Sequence, residues 1–477
     1  MNHKAGSKEV KQASIYYLFG SLFSKGIAFI TVPIFTRILS TTDYGIINTY
    51  SSWVAMLSVV LGFALHMSIR ASFLDYQGRE NDFLSVTVTF VAVIGISVSA
   101  IVLLTFWLIH VNVSLLLILL CLLQSISTAI IEDYSMFLMM QYRYKERTAI
   151  MVLPNLISSA LSIAAILFVV KTNAYMGRIA PTCAVYILFC VIILVLVYKK
   201  SHVFFKREYI SVGLRISAPL IFHGIALSVL SQSDRMMITQ FAGPAQTGIY
   251  SLVYNFGMIA TVITTALDGV WVPWFYKHYT NGEYSIINKV AKNYVQLITF
   301  AMIGLIQVGP EIIKLLAPKK YWEGIAIIPP VVLSSYVIFL YTLYVNVEHY
   351  HKKTIRITGN TIIAALANII LNLILIPKFG YIAAAYTTLI SYMISLLIHS
   401  VSTKRIDPKI FSANVFISSL LQNVIMVMLF YAFQDKWLVR WLIMVVYAMV
   451  LAIAYKNEIM KFFPAVSNKM VRRRKKE

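Results

Sequence analysis

The stretch "LSQSDRMMITQFAG" (Leu230 to Gly243) sets Asp234 beside Arg235 inside a long apolar segment. An ionised side chain at bilayer depth costs about 2.5–3.5 kcal/mol on insertion scales. Neighbours on a helix do not face each other, so the two cannot cancel as one local pair. At least one needs a partner on another helix, or water. Arg235 lies a little over one turn from the outer end of its span, where a long side chain could in part snorkel. Lys25, in "GSLFSKGIAF", sits near the middle of a span, too deep for easy escape to either interface. Gly20, Ser21, Ser24 and Gly26 surround it, and small residues allow close helix approach or a water path. Pro33 follows two turns later and removes the hydrogen bond to the Phe29 carbonyl, which bends the helix. Asp268, in "TTALDGVWVPW", is the natural counter-charge for Lys25 or Arg235. A permanent bridge and a pair opened by substrate look alike at this stage. Lys25, Asp234, Arg235 and Asp268 are thus the candidates to line a charged central cavity.

A second set of cavity or gate candidates comprises Arg37, His66, Arg70, Arg215, His223 and Glu348. Arg70, Arg215 and Glu348 lie near cytoplasmic ends, where interfacial positions suffice to explain them. His66 and His223 are more simply core histidines than proton carriers. Glu132 and Asp133 are expected to pair locally with Arg143, Lys145 or Arg147. Asn368 and Asn372, four apart on one face, are expected to hydrogen-bond between helices. There is no GxxxxGK[ST], no HExxH, no acidic catalytic loop and no Ser/His/Asp set on a large exterior loop. Catalytic residues, metal sites and organic cofactors are therefore not expected, and an enzyme is disfavoured. Cys121, Cys183 and Cys190 all fall in apolar runs and read as core residues.

The elements that must position these charges are membrane spans. Of 477 residues, 59% are apolar and only 13% charged, with mean hydropathy +0.77. Apolar runs of about 20 residues recur from end to end, the pattern of an all-α polytopic membrane protein. Breaks at Gly, Pro, Asn and charge clusters give about fourteen spans: 14–39, 44–73, 83–108, 112–140, 148–170, 176–198, 212–241, 246–276, 286–316, 325–350, 354–376, 381–401, 411–432 and 437–456. The N-terminus reads as a cytoplasmic tail leading into the first span, without the cleavage site of a signal peptide. With that end inside, about 29 of the 41 Lys and Arg fall at inner ends and about 8 at outer ends. Both termini are then cytoplasmic. The net charge of +22 is explained by topology and by anionic lipid heads, so no nucleic-acid partner is needed.

Sliding the chain by 203 residues aligns its halves: "FTRILSTTDYGII" (35–47) falls on "ITQFAGPAQTGIY" (238–250), with Thr36 on Thr239 and Gly45 on Gly248. Tyr76 meets Tyr279 and Glu80 meets Glu283; with a shift of 206, "AYMGRIA" (174–180) meets "GYIAAAY" (380–386). Six spans per repeat is an even number, so both halves enter the membrane in the same direction, about an axis along the membrane normal. Residues 1–200 and 204–405 are expected to form two six-helix lobes around a central cavity. Residues 406–477 add two spans and a basic cytoplasmic tail.

The stretches "SKGIAFITVPIFTRILSTTDYGII", "QSDRMMITQFAGPAQTGIYSLVYN" and "ANIILNLILIPKFGYIAAAYTTLISYMIS" resemble the Wzx-type polysaccharide-biosynthesis flippases of the multidrug/oligosaccharidyl-lipid/polysaccharide exporter superfamily. The resemblance covers roughly residues 10–405; where a second glycine usually follows Lys-Phe-Gly, Ala383 to Ala385 stand here. It implies transport of an undecaprenyl-pyrophosphate-linked oligosaccharide from the cytoplasmic to the outer leaflet of the bacterial inner membrane, for surface polysaccharide assembly. It further implies a cationic cavity, with Lys25 and Arg235 as candidates for the pyrophosphate and Asp234 and Asp268 for charge balance. Tyr16, Tyr17, Tyr50, Trp53, Tyr250, Tyr254 and Trp271 could stack on sugars, although packing and interface belts explain them as simply. Glycosyltransferases and a polymerase of the same pathway are implied as partners. Proton or sodium coupling stays open. The alternatives are a multidrug-type cation antiporter of the same superfamily and, less favoured, a glycan polymerase or transferase.

Overall fold

The structure is a computed structural model that describes residues 26–27, 29–110 and 114–456, and every regular element among them is helical. In chain order the helices are α1 (Phe29–Ile38), α2 (Thr41–Leu61), α3 (Leu65–Ser72), α4 (Glu80–Leu108), α5 (Leu115–Met140), α6 (Tyr144–Ala164), α7 (Met176–Tyr198), α8 (Arg207–Ala242), α9 (Pro244–Thr280), α10 (Tyr284–Leu316), α11 (Ile328–Tyr350), α12 (Thr354–Ile406), α13 (Ile417–Ala432) and α14 (Trp437–Ala454). Ten helices are long and apolar enough to cross a membrane, and α8 adds an eleventh as a bent pair. α12, 53 residues long, is two spans joined at Gly380, where φ is 59°. α1 and α13 are shorter apolar helices at the places of the first and thirteenth expected spans. Expected spans two to fourteen therefore each have a helix at their place, in a multi-pass membrane protein; of the first, residues 14–25 lie outside the described residues and α1 covers 29–38.

The breaks have local causes. α8 bends by 48° at position 219, where the sequence places a proline that cannot donate to the preceding turn. The second span breaks between α2 and α3, where Phe63 and Ala64 adopt left-handed φ of 51° and 49°. α2 starts on a capping box, with Ser40 Oγ accepting from Asp43 N at 3.0 Å and Ser40 N donating to the Asp43 carboxylate at 3.4 Å.

Burial is arranged for a lipid solvent. On α4 the buried face carries Ser85, Thr87, Gly95 and Ser99, while Val93, Ile96, Ile101 and Leu104 are exposed. Small and polar residues let helices pack closely, and the outward apolar side chains suit a lipid solvent.

The chain packs as two compact units, Met1–Val262 with Lys314–Pro408, and Ile263–Ile313 with Lys409–Glu477. Within the first unit, one apolar core joins α3, α4, α5 and α7 around Leu84, Val88, Ile126, Phe137 and Ile193, and another joins α8, α11 and α12 around Leu230, Val337, Ala364 and Tyr392. In the second unit Arg440 of α14 is fully buried and pairs with Glu311 of α10, and it also donates to the Gln307 carbonyl. Gln307 Nε2 in turn donates to the Met426 carbonyl at 2.8 Å, and Gln296 and Gln422 exchange hydrogen bonds at 2.7 and 3.0 Å. Polar pairs of this kind hold α13 and α14 to α10.

The repeat appears as contacts within the first unit. A Cβ on Gly45 would overlap the Pro244 carbonyl, and a Cβ on Gly248 would overlap the Thr41 carbonyl. Thr41 and Pro244 are themselves 203 residues apart, so α2 and α9 cross with each residue meeting its counterpart's neighbour. That reciprocity is the mark of a two-fold relation. The helix starts of α7 and of the second segment of α12 match as well. Tyr175 N donates to Asp43 Oδ1 at 3.3 Å, and Tyr381 N donates to Gln246 Oε1 at 3.1 Å. Asp43 aligns with Gln246 at the 203 shift, and Tyr175 with Tyr381 at the 206 shift.

Candidate functional site

Asp234 lies on α8 and is 1% exposed. Its carboxylate accepts from Thr388 Oγ1 at 2.5 Å and Tyr250 Oη at 2.6 Å on one oxygen, and from Asn372 Nδ2 at 2.7 Å on the other. Asn368 joins Asn372 at 3.1 Å and accepts from Ser233 Oγ at 3.0 Å, and Thr387 donates to the Asn372 side-chain oxygen. Both asparagines thus bond between helices as expected, and the acid they reach is Asp234. Hydroxyl and amide donors keep the buried charge satisfied without a cation in direct contact. Asp234, Asn368, Asn372, Thr387 and Thr388 bring together carboxylate, amide and hydroxyl oxygens, the donor chemistry of hard cations. Among the described residues no group of three or more His, Cys, Asp or Glu could hold a metal ion.

Arg235 turns away from this cluster. Its guanidinium donates to Gln232 Oε1 at 2.7 Å and sits 4.5 Å from the centroid of the Tyr254 ring. It is 6% exposed, and its Nε has no hydrogen-bond partner. From the other half of the repeat comes Arg178 on α7. It donates to Ser159 and Ser162 at 3.3 Å each and lies 4.5 Å over the Phe35 ring. Tyr44 of α2, whose phenol accepts from Asn255 at 3.3 Å, lies within electrostatic range of both Arg178 and Arg235. Sequence reasoning counted Arg178 only in the charge tally. Its signal was available, as an arginine two residues inside an apolar span where the repeat has Ala384.

The other candidates scatter. Lys25 lies outside the described residues, as do Tyr16 and Tyr17. Asp268 falls in the second unit, where it accepts from Tyr294 Oη at 3.4 Å. Arg37 is exposed and caps carbonyls at the C-terminal ends of α1 and α10, donating to Pro33 O at 2.8 Å and Leu315 O at 3.0 Å. Beside it Thr36 donates to Leu316 O at 2.8 Å and Lys320 to Leu39 O at 2.6 Å. His66 is half-buried on α3, and Arg70 and Arg215 are exposed. His223 is half-buried with Nδ1 unpartnered, and Glu348 is fully buried against His399. Arg143 pairs with Glu146, not with Glu132 or Asp133; Asp133 is buried with one oxygen unpartnered.

Solved structures share the fold of this bundle of broken and paired spans. The chain is similar to the lipid II flippase MurJ in an inward closed conformation (TM-score 0.63, 17% identity, 93% of this chain and 100% of that one). It is also similar to a MOP superfamily transporter from Pyrococcus furiosus (TM-score 0.54, 12% identity, 83% and 96%). An uncharacterized membrane protein of Haemophilus influenzae is 22% identical over 372 residues, 75% of this chain and 88% of that one. The family model of the polysaccharide biosynthesis proteins matches residues 10–278, more than half of the chain. The protein belongs to that family, in keeping with the resemblance its motifs carry.

Proposed function

We propose that the protein flips an undecaprenyl-pyrophosphate-linked oligosaccharide from the cytoplasmic to the outer leaflet of the bacterial inner membrane, for surface polysaccharide assembly. The supporting observation is the pair Arg178 and Arg235, one from each repeat, both within electrostatic range of Tyr44. A pyrophosphate entering low dielectric needs cations, and two guanidiniums on separate lobes can grip it together and release it when the lobes part. Residues 1–200 and 204–405 act as the rocking lobes, and 406–477 are appended to them. Lys25 keeps its expected part as a further cation. Moving an anion outward is helped by an inside-negative potential, about 2.3 kcal/mol per charge per 100 mV. Proton or sodium exchange supplies any further driving force. Both termini face the cytoplasm, among anionic lipids and beside the glycosyltransferases and polymerase of the pathway. The protein makes and breaks no covalent bond.

The test uses the full chain in liposomes with a fluorescent undecaprenyl-pyrophosphate disaccharide and a membrane-impermeant quencher. Losing a charged hydrogen bond is worth about 1.5–3 kcal/mol, so Arg178→Gln or Arg235→Gln should slow flipping about tenfold or more. An unaltered rate in both variants would remove the basis of the proposal. Cells carrying Arg235→Glu that lost drug efflux but kept surface glycan would point to the cation-antiporter alternative.

A further inference from the structure

A second buried ionisable site lies on α11 and α12, away from the arginines. Glu348 Oε2 and His399 Nδ1 are 2.7 Å apart, and the two side chains are 0% and 1% exposed. Asn360 Nδ2 approaches the same ring nitrogen at 3.3 Å, and the Tyr341 ring stacks on the imidazole at 5.6 Å. Glu348 Oε1 has no hydrogen-bond partner. His223 on α8 and His349 on α11 lie within electrostatic reach of His399, and the Tyr392 ring of α12 stacks on Tyr341. Among the described residues no lysine or arginine pairs with Glu348.

A carboxylate in so dry a place, met by one imidazole and left with a bare oxygen, is sustained only while a proton is shared between the two groups. Taking that proton away leaves an uncompensated anion, so release requires water to reach the pair. Proton binding and helix opening are then one linked equilibrium, each biasing the other. The repeat shows that this is chemistry of one half. Thr388, Ser391, Ser395 and His399 form a buried polar stripe on α12, leading from the Asp234 cluster to Glu348. Their counterparts on α7 are Thr182, Val185, Phe189 and Ile193.

We propose that the Glu348–His399 pair takes up and releases one proton in each transport cycle, so that the second lobe carries the driving ion. This rests on the transport function proposed above. The site itself is tested without substrate. Infrared difference spectra of the full chain in lipid nanodiscs, acid minus alkaline, should show a carboxylic-acid band that disappears in Glu348→Gln and shifts in His399→Gln. In liposomes with the fluorescent lipid-linked probe, one coupled proton gives up to about tenfold change in rate per pH unit. His399→Gln should flatten this to less than about twofold. A band unchanged in both variants, or flipping driven by sodium with no dependence on pH, would overturn the proposal. If the wild-type chain does not move the probe at all, the transport function fails, while the substrate-free spectra still decide the proton site. Should Glu348→Gln not fold, His399→Gln alone decides it.

Discussion

Tyr175 and Tyr381 open equivalent helices in the two halves, and each is fixed by a side chain at the start of another helix, Asp43 in one case and Gln246 in the other. One turn beyond those starts the halves part company. The first sets Arg178 among Ser159 and Ser162; the second sets Ala384 there and gathers its polar groups around Asp234. Backbone contacts are repeated because they depend on where a helix begins and how closely two helices cross. Side-chain chemistry is free to differ because it does not set where a helix begins. The first half holds Arg178 on α7 with Val185, Phe189 and Ile193 further along; the second holds Arg235, the hydrogen-bonded Asp234 and the buried stripe Thr388, Ser391, Ser395 and His399.

The largest effect should come from the element both halves share. Gly45→Leu forces side-chain atoms into the Pro244 carbonyl at the α2–α9 crossing. Overpacking typically costs about 1–3 kcal/mol, and here the obstacle is backbone, so the upper end or more is expected. Gly248→Leu should match it within about 0.5 kcal/mol, read by thermal melting in detergent. A harmless Gly45 variant beside a crippling Gly248 variant would break the two-fold description.

Asp234→Ala comes next. It strands donors on Tyr250, Asn372 and Thr388, and at about 0.6 kcal/mol per intramembrane hydrogen bond the loss is about 2 kcal/mol. Asp234→Asn retains an acceptor and should recover at least half of the stability. Equal damage from both would mean that the charge, not the hydrogen bonding, holds the cluster.

What the sequence made legible follows from the same physics. Apolar length and punctuation place the spans that fall on described residues, because the bilayer core sets helix length and unpaired backbone is not tolerated within it. The Gly45–Gly248 alignment named in advance two glycines that both lie at the close crossing of α2 and α9. The partners of buried charges were another matter. Asp268 was expected against a cation and takes a hydrogen bond from Tyr294, and Asp234 is satisfied by hydroxyls and an amide. Neutral donors solvate a carboxylate as well as a cation does, and Ser, Thr and Tyr are too common in spans to signal it. Arg178 and His399 escaped notice for a related reason: each stands out only when its residue is set beside its apolar counterpart in the other half.

Asp43→Ala and Gln246→Ala probe the repeated helix starts directly. Each removes one acceptor from a first-turn amide, a loss of about 1 kcal/mol. Asp43 also closes the capping box at Ser40, so its variant should melt lower than the Gln246 variant. The reverse order would show that the contact to Tyr381 does more than end a helix, as the tight seat of Gly380 against Gln246 would allow.

The smallest effect belongs to the loop between α9 and α10, where Glu283 pairs with His278. The hydrogen bond from His278 holds the Glu283 carboxyl below its usual range, aided by Asn281 and by the charges of His278 and Lys277. A depressed carboxyl contributes stability that is complete above its unfolded value, about 4.3, and is lost as pH falls through the folded value. Wild type should therefore melt slightly higher than Glu283→Gln at neutral pH, and the two curves should converge below about pH 4. The gap stays small because the pair meets solvent and is screened. Glu80, aligned with Glu283 by the repeat, has an oxygen without a partner, so Glu80→Gln controls for the loss of charge alone. If both variants shifted the melting curve equally at every pH, the difference between the loops would lie in net charge, and the His278 bond would explain nothing.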